Sequence, residues 1–325
     1  MILTLGRGRR RSTGGSIAAA AILVAGCGST DDTGGSGVET ATDQIVATTS
    51  IWADIVSGIT CRGDAGIEVT SLIPPRSDPH GYEPSLQDRE LLDDAALVVA
   101  NGASLETGAD ALLDDLDGAR VVEVAELPGL ELRDATSSEE DDHGEEDDHG
   151  DIDPHLWLDP SLVADAIGPI ADRVIATTGA DATAIEGCVD AYRSELLTLD
   201  DEIADRMDAV PAARRVLVTN HDAYGYFADR YGLEVVGTVI PSTSTMAETN
   251  AADLEELAAV VEREAVPAIF VDSDQDTAEA DELAATLDIE VVRLRTDSLG
   301  DDDATDTYVE LMRTDADAVA SALGG

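Results

Sequence analysis

Five histidines occur in these 325 residues, so where each one falls carries information. His80 closes the loop Pro74-Pro75-Arg76-Ser77-Asp78-Pro79-His80, and His221 directly follows the apolar run 214–220. His155 stands in Asp153-Pro154-His155-Leu156-Trp157-Leu158-Asp159-Pro160, and Asp297 in Arg295-Thr296-Asp297-Ser298. Three neutral imidazoles and one carboxylate make a tetrahedral, borderline-soft donor set, which suits zinc. A manganese site is expected to carry more oxygen. Asp272 also ends an apolar run, in Ala268-Ile269-Phe270-Val271-Asp272, and is the rival source of the carboxylate.

The elements that must position these residues alternate in type. Short β-branched runs at 44–50, 67–73, 96–101 and 120–124 read as buried strands, separated by helical patterns at 51–58, 85–94 and 104–116. The second half repeats the scheme, with strands at 214–220, 235–240, 268–272 and 290–294 and helices at 223–231, 247–264 and 277–287. Such alternation implies parallel sheets with right-handed crossovers. His80, His221 and Asp297 then lie in loops at the C-terminal ends of strands, the edge where open α/β sheets bind ligands.

Between the halves, Ile185, Cys188, Val189, Tyr192, Leu196, Leu199, Ile203 and Met207 step by three and four, predicting one long helix over 182–209 that Pro211 ends. The expected fold class is α/β, with two lobes, each a four-stranded mainly parallel sheet flanked by helices, joined by one long rigid helix. The expected divisions are a first lobe over 44–180, a connecting helix over 181–210 and a second lobe over 211–325.

The N-terminus reads as an address. Residues 1–26 hold four arginines, no acid and an apolar stretch over 17–25 that is too short to span a bilayer. Val24-Ala25-Gly26-Cys27 has the form of a bacterial lipobox, so lipidation is expected at Cys27, with a polar linker over 27–43. That puts the folded part on the outer face of the cytoplasmic membrane. The remaining cysteines, Cys61 and Cys188, are an even pair in an oxidising compartment. They suggest a disulfide, with two buried thiols as the alternative.

The net charge is −50, from 69 acidic residues against 19 arginines and no lysine. So acidic a body repels nucleic acid. The run 137–151, SSEEDDHGEEDDHGD, sets His143 and His149 among carboxylates. It is too polar to fold alone, and reads either as a metal-collecting loop or as a solvated charge run. A zinc hydrolase fits poorly. Asp297 would fill the open coordination position that catalysis needs, and HExxH and GxSxG motifs are absent.

PPRSDPHGYEPS, DPHLWLDP, NHDAYGYFADRYGL, AIFVDSDQD and RTDSLG resemble, in order, signature segments of the solute-binding lipoproteins of zinc and manganese ABC importers (the ZnuA/TroA/PsaA type). The resemblance implies a monomeric, non-enzymatic binding protein that serves a membrane permease and its ATPase. It also implies the ligand set His80, His155, His221 and Asp297. The manganese branch typically carries Glu where this chain has His221, so the zinc branch is favoured and Mn2+ is the alternative cargo. Asp272 stands where the family usually has Glu, which suggests a site-lining role. Some members of that family are proposed adhesins, a further reading this resemblance leaves open.

Overall fold

The computed structural model describes residues 44–135 and 152–324. Cys27, His143, His149, the linker and the N-terminal address lie outside the described residues.

Strands β1 (Gln44–Ala47), β2 (Glu68–Ser71), β3 (Leu97–Ala100) and β4 (Val121–Glu123) form one parallel sheet in the order β2-β1-β3-β4. Strands β5 (Val216–Thr219), β6 (Glu234–Thr238), β7 (Ala268–Asp272) and β8 (Glu290–Leu294) repeat it as β6-β5-β7-β8. The central strands β3 and β7 are buried along their whole length, which is why LVVA and AIFVD read as continuous apolar runs. Edge strands β2, β6 and β8 place Glu68, Glu234 and Glu290 in solvent.

Nine α-helices accompany the strands among the described residues: α1 (Ser50–Ile59), α2 (Leu86–Asp94), α3 (Asp110–Asp114), α4 (Pro160–Thr178), α5 (Ala182–Asp208), α6 (Gly225–Tyr231), α7 (Ala251–Glu264), α8 (Ala278–Leu287) and α9 (Tyr308–Gly324). Their starts obey capping chemistry. Ser85 and Asp88 form a reciprocal box at α2, Asn250 and Asp253 another at α7, and Asp159 caps α4 ahead of Pro160. The long helix α5 matches its expected span to within a residue.

Several expectations need correction. The pattern at 104–116 yields only the short α3, because Ala103 and Ser104 take left-handed conformations (φ 52° and 59°) that turn the chain first. Helix α7 begins at Ala251, not at 247, since Asn250 supplies its cap. Helices α4 and α9 were not anticipated. An interior Pro169 disguises the first, and the second follows the acidic run 301–303. Cys188, which falls within the apolar pattern of α5, is half-buried.

Burial shows how the layers join. Ile45, Ala47, Leu97 and Val99 of the first sheet and Leu217, Phe270 and Leu294 of the second belong to one continuous core, filled by α1, α4, α5 and α9. The opposite faces pack separately, around Val46 and Val98 in one half and around Val218, Ile269 and Val271 in the other. The alternation follows the two-residue period of a strand. The described residues accordingly all belong to one compact unit. Cys61 and Cys188 are disulfide-bonded, with Cα atoms 5.5 Å apart. No helix among the described residues is long and apolar enough to cross a membrane.

Candidate metal centre

His80, His155, His221 and Asp297 are brought together, all buried, each offering a ligand atom within 4.8 Å of the others. His221 follows β5, Asp297 follows β8 and His80 lies on the loop after β2, so the strand-edge placement holds for these three. His155 comes from the connection between β4 and α4, at the start of the turn Leu156–Leu158.

His155 is oriented by a carboxylate. Asp153 Oδ1 accepts the His155 backbone N–H (3.0 Å) and lies 2.8 Å from ring Nδ1, and both residues are fully buried. That contact holds the ring proton on Nδ1 and leaves Nε2 as a lone-pair donor facing the cluster. Asp153 Oδ2 in turn receives Arg133 Nη1 at 3.3 Å. The segment is pinned further by Trp157, whose Nε1 donates to the Thr296 carbonyl at 2.9 Å, and by Asn101, whose amide donates to the Pro154 carbonyl at 2.9 Å.

His80 is held from below by Asp78. Oδ1 of that residue accepts the His80 N–H (2.9 Å), and Oδ2 accepts the Thr245 hydroxyl (2.6 Å), a contact between the two halves. Asp297 is approached by neutral donors. Gln275 Nε2 donates to its Oδ2 at 2.8 Å, and its backbone N–H points to Asp272 Oδ2 at 3.3 Å. Asp272 also accepts the backbone N–H groups of Thr296 (2.6 Å) and Asp274 (2.7 Å). Both Asp272 oxygens are therefore spent on holding the loop, and Asp272 is not among the four converging residues.

Within the cluster, His155 Nε2 and His221 Nε2 are 3.3 Å apart, His221 Nε2 and Asp297 Oδ2 3.6 Å, and His155 Nε2 and Asp297 Oδ1 3.8 Å. A tetrahedral zinc with bonds of about 2.0–2.1 Å separates its ligand atoms by about 3.3 Å. A small contraction would close this group on such an ion. Two buried atoms, His80 Nε2 and Asp297 Oδ1, have no hydrogen-bond partner. Orphaned groups of this kind are costly unless a ligand satisfies them.

The electrostatics fit. Burial, and then the neighbouring His155, pushes His80 down to about 3. Burial, then His155 and His80, holds His221 well below the usual imidazole value. Burial, then the charges of Asp272 and Asp78, raises Asp297 well above the carboxylate range, against the Gln275 hydrogen bond. The metal-free site thus favours neutral rings at His80 and His221, as coordination requires, and holds a carboxylate that lacks a compensating cation.

Sequence reasoning missed Asp153 as the group that orients His155, and Gln275 as the donor to Asp297. The first had a signal in the Asp-Pro-His spacing, which lets a carboxylate reach back to the backbone two residues on. The second had none, because Gln275 meets Asp297 only through the tertiary fold.

Fold and site together define the class, a metal-binding α/β protein built on two parallel sheets. The family described as zinc-uptake complex component A, periplasmic, matches residues 45–322, and the chain belongs to it. The zinc-binding protein TroA of Treponema pallidum is 32% identical over 288 residues, covering 86% of this chain and 88% of the relative. The manganese-binding lipoprotein MntA of Halalkalibacterium halodurans is 28% identical over 309 residues, covering 93% and 95%. The solved structure of the periplasmic zinc-binding protein TroA from Treponema pallidum superposes with a TM-score of 0.77 at 30% identity, covering 87% of this chain and all of that one.

Proposed function

We propose that this chain captures zinc outside the cytoplasmic membrane and hands it to an ABC permease driven by its ATPase, with His80, His155, His221 and Asp297 as the ligands. The observation that carries this reading is the convergence of four buried ligand atoms, two of them unpartnered, at separations close to those of a tetrahedral ion. Family membership supports binding rather than catalysis, and the zinc-binding TroA supports the choice of metal.

Several relatives are named manganese-binding, so manganese is the second reading. The nitrogen-rich donor set argues against it, because manganese favours oxygen. Asp272 acts by fixing the loop that carries Asp297. We propose also that Cys27 carries the lipid anchor, that the protein works as a monomer, and that α5 is the stiff element between lobes 44–180 and 211–325. His143 and His149 would gather metal loosely ahead of the site. Zinc uptake unchanged on deletion of 138–150 sinks that last role.

The test is competitive titration of zinc and manganese into the metal-stripped chain. Zinc is expected to win. The variant His221→Ala is expected to lose roughly a hundredfold or more in zinc affinity, since about 10–16 kcal/mol is shared among four ligands. Preference of the unaltered chain for manganese overturns the zinc reading.

A further inference from the structure

Between β6 and α7, residues 239–250 form a strap rooted beside His221. The Ile240 N–H donates to the Asn220 carbonyl (2.7 Å) and the Asp222 N–H to the Ser242 carbonyl (2.9 Å), so the root is bonded to the residues on either side of that ligand. Beyond the root the chain turns on its own serines. Ser242 Oγ accepts the Ser244 N–H (3.0 Å), and Ser244 Oγ accepts the Met246 N–H (3.2 Å). These turns bring Thr245 to the other half of the molecule.

There the tip of the strap meets the loop that carries His80. The Thr245 hydroxyl donates to Asp78 Oδ2 at 2.6 Å, while Asp78 Oδ1 accepts the His80 N–H at 2.9 Å. One carboxylate thus joins strap to ligand, and bonds to an ionised acceptor are the strong kind. Met246 reinforces the contact by lying against Gly81, where an added Cβ would stand 3.0 Å from the Met246 sulfur. The strap also walls a cavity of about 600 Å3 that Asp78, Asn220 and Gln275 line with it. These are the partner of His80, the chain neighbour of His221 and the donor to Asp297, so the supports of three ligands face one space.

The bond from Thr245 is carried by a half-buried loop and not by a packed strand. It is therefore cheaper to break than the core that joins the two sheets. Once it breaks, Asp78 loses its tie to the second half, and the His80 N–H is no longer held at a fixed distance from His221. We propose that Thr245 is a positioning residue for His80, that its strap sets how fast zinc leaves, and that His80 is the first ligand to let go. The proposal rests on the zinc-binding reading of the site and adds to it an order of release.

The test is stopped-flow transfer of zinc from the zinc-loaded full chain to excess chelator, with association measured in parallel. Thr245→Val exchanges the hydroxyl for a methyl group and is expected to raise koff roughly tenfold, the order of one hydrogen bond to a charged acceptor, with kon changed by less than about threefold. Thr245→Ser keeps the hydroxyl and is expected to restore slow release. In a His80→Ala background, Thr245→Val is expected to change koff by less than about twofold, because it acts through that ligand. Thr198→Val, whose hydroxyl bonds to its own helix on the exposed side of α5, is expected to release zinc at the unaltered rate. An unchanged koff in Thr245→Val, no rescue by Thr245→Ser, or an effect that persists without His80 overturns the proposal and leaves zinc binding standing. Equal rises in kon and koff mark a gate and not a ligand position, and overturn it too. A full chain that does not retain zinc overturns the binding reading, and this proposal with it.

Discussion

In the first half of the molecule His155 is steered by charge: Arg133 meets Asp153, and Asp153 meets the imidazole. In the second half Asp297 is steered by neutral donors, the Gln275 amide and a backbone loop that Asp272 gathers through three N–H groups. The difference lies in which partner carries the charge before metal arrives. Asp153 already has Arg133 opposite it, so the His155 arm is electrostatically complete. Asp297 has no cation among its hydrogen-bonding partners, and burial, then the charges of Asp272 and Asp78, pushes its carboxyl upward. One arm is a prepared ligand, and the other is made whole by the ion.

That contrast can be broken most forcefully by exchanging its two carboxylate supports. Asp153→Asn is expected to lower zinc affinity 10–100-fold, because it removes the charge that orients a ligand imidazole. Asp272→Asn is expected to cost about tenfold in affinity and about 1–3 kcal/mol in stability, by leaving backbone N–H groups without acceptors. Calorimetric zinc titration with chemical denaturation reads both. A larger affinity loss in Asp272→Asn than in Asp153→Asn reverses the comparison.

The smallest effect is in the pH dependence of the metal-free protein. Asp297 binds its proton more tightly folded than unfolded. Stability is therefore lost as pH rises from the ordinary carboxylate value, about 4, through the raised folded value. His80 works the other way, gaining stability between about 3 and the ordinary 6.5 and nothing above it. Asp297→Asn should therefore raise Tm of the metal-free protein by a few degrees at pH 8 and by less at pH 5. Equal shifts at the two pH values would remove the charge argument for this arm.

Much of this was legible in the residues themselves. His80, His221 and Asp297 could be placed because parallel strands announce themselves as apolar runs and ligands gather where such runs end. His155 was placed by its motif. The three-four spacing of α5 was equally plain. What escaped was whatever depends on the fold being complete. Gln275 and Asp297 meet across 22 residues, and Thr245 supports His80 across 167 from its contact to Asp78. The helix expected at 104–116 failed for a local reason, two left-handed residues that no composition rule marks.

The bridge between Cys61 and Cys188 spans 127 positions of sequence, and the acidic run 137–151 lies inside that span. The polypeptide is thus a closed ring with two tails. His80 and His155 are on the ring, while His221 and Asp297 are on one tail. A protease that cuts anywhere in the ring, the acidic run included, opens it without releasing a piece. The nicked molecule would migrate as one band without reductant and as two with it, still carrying every zinc ligand named here.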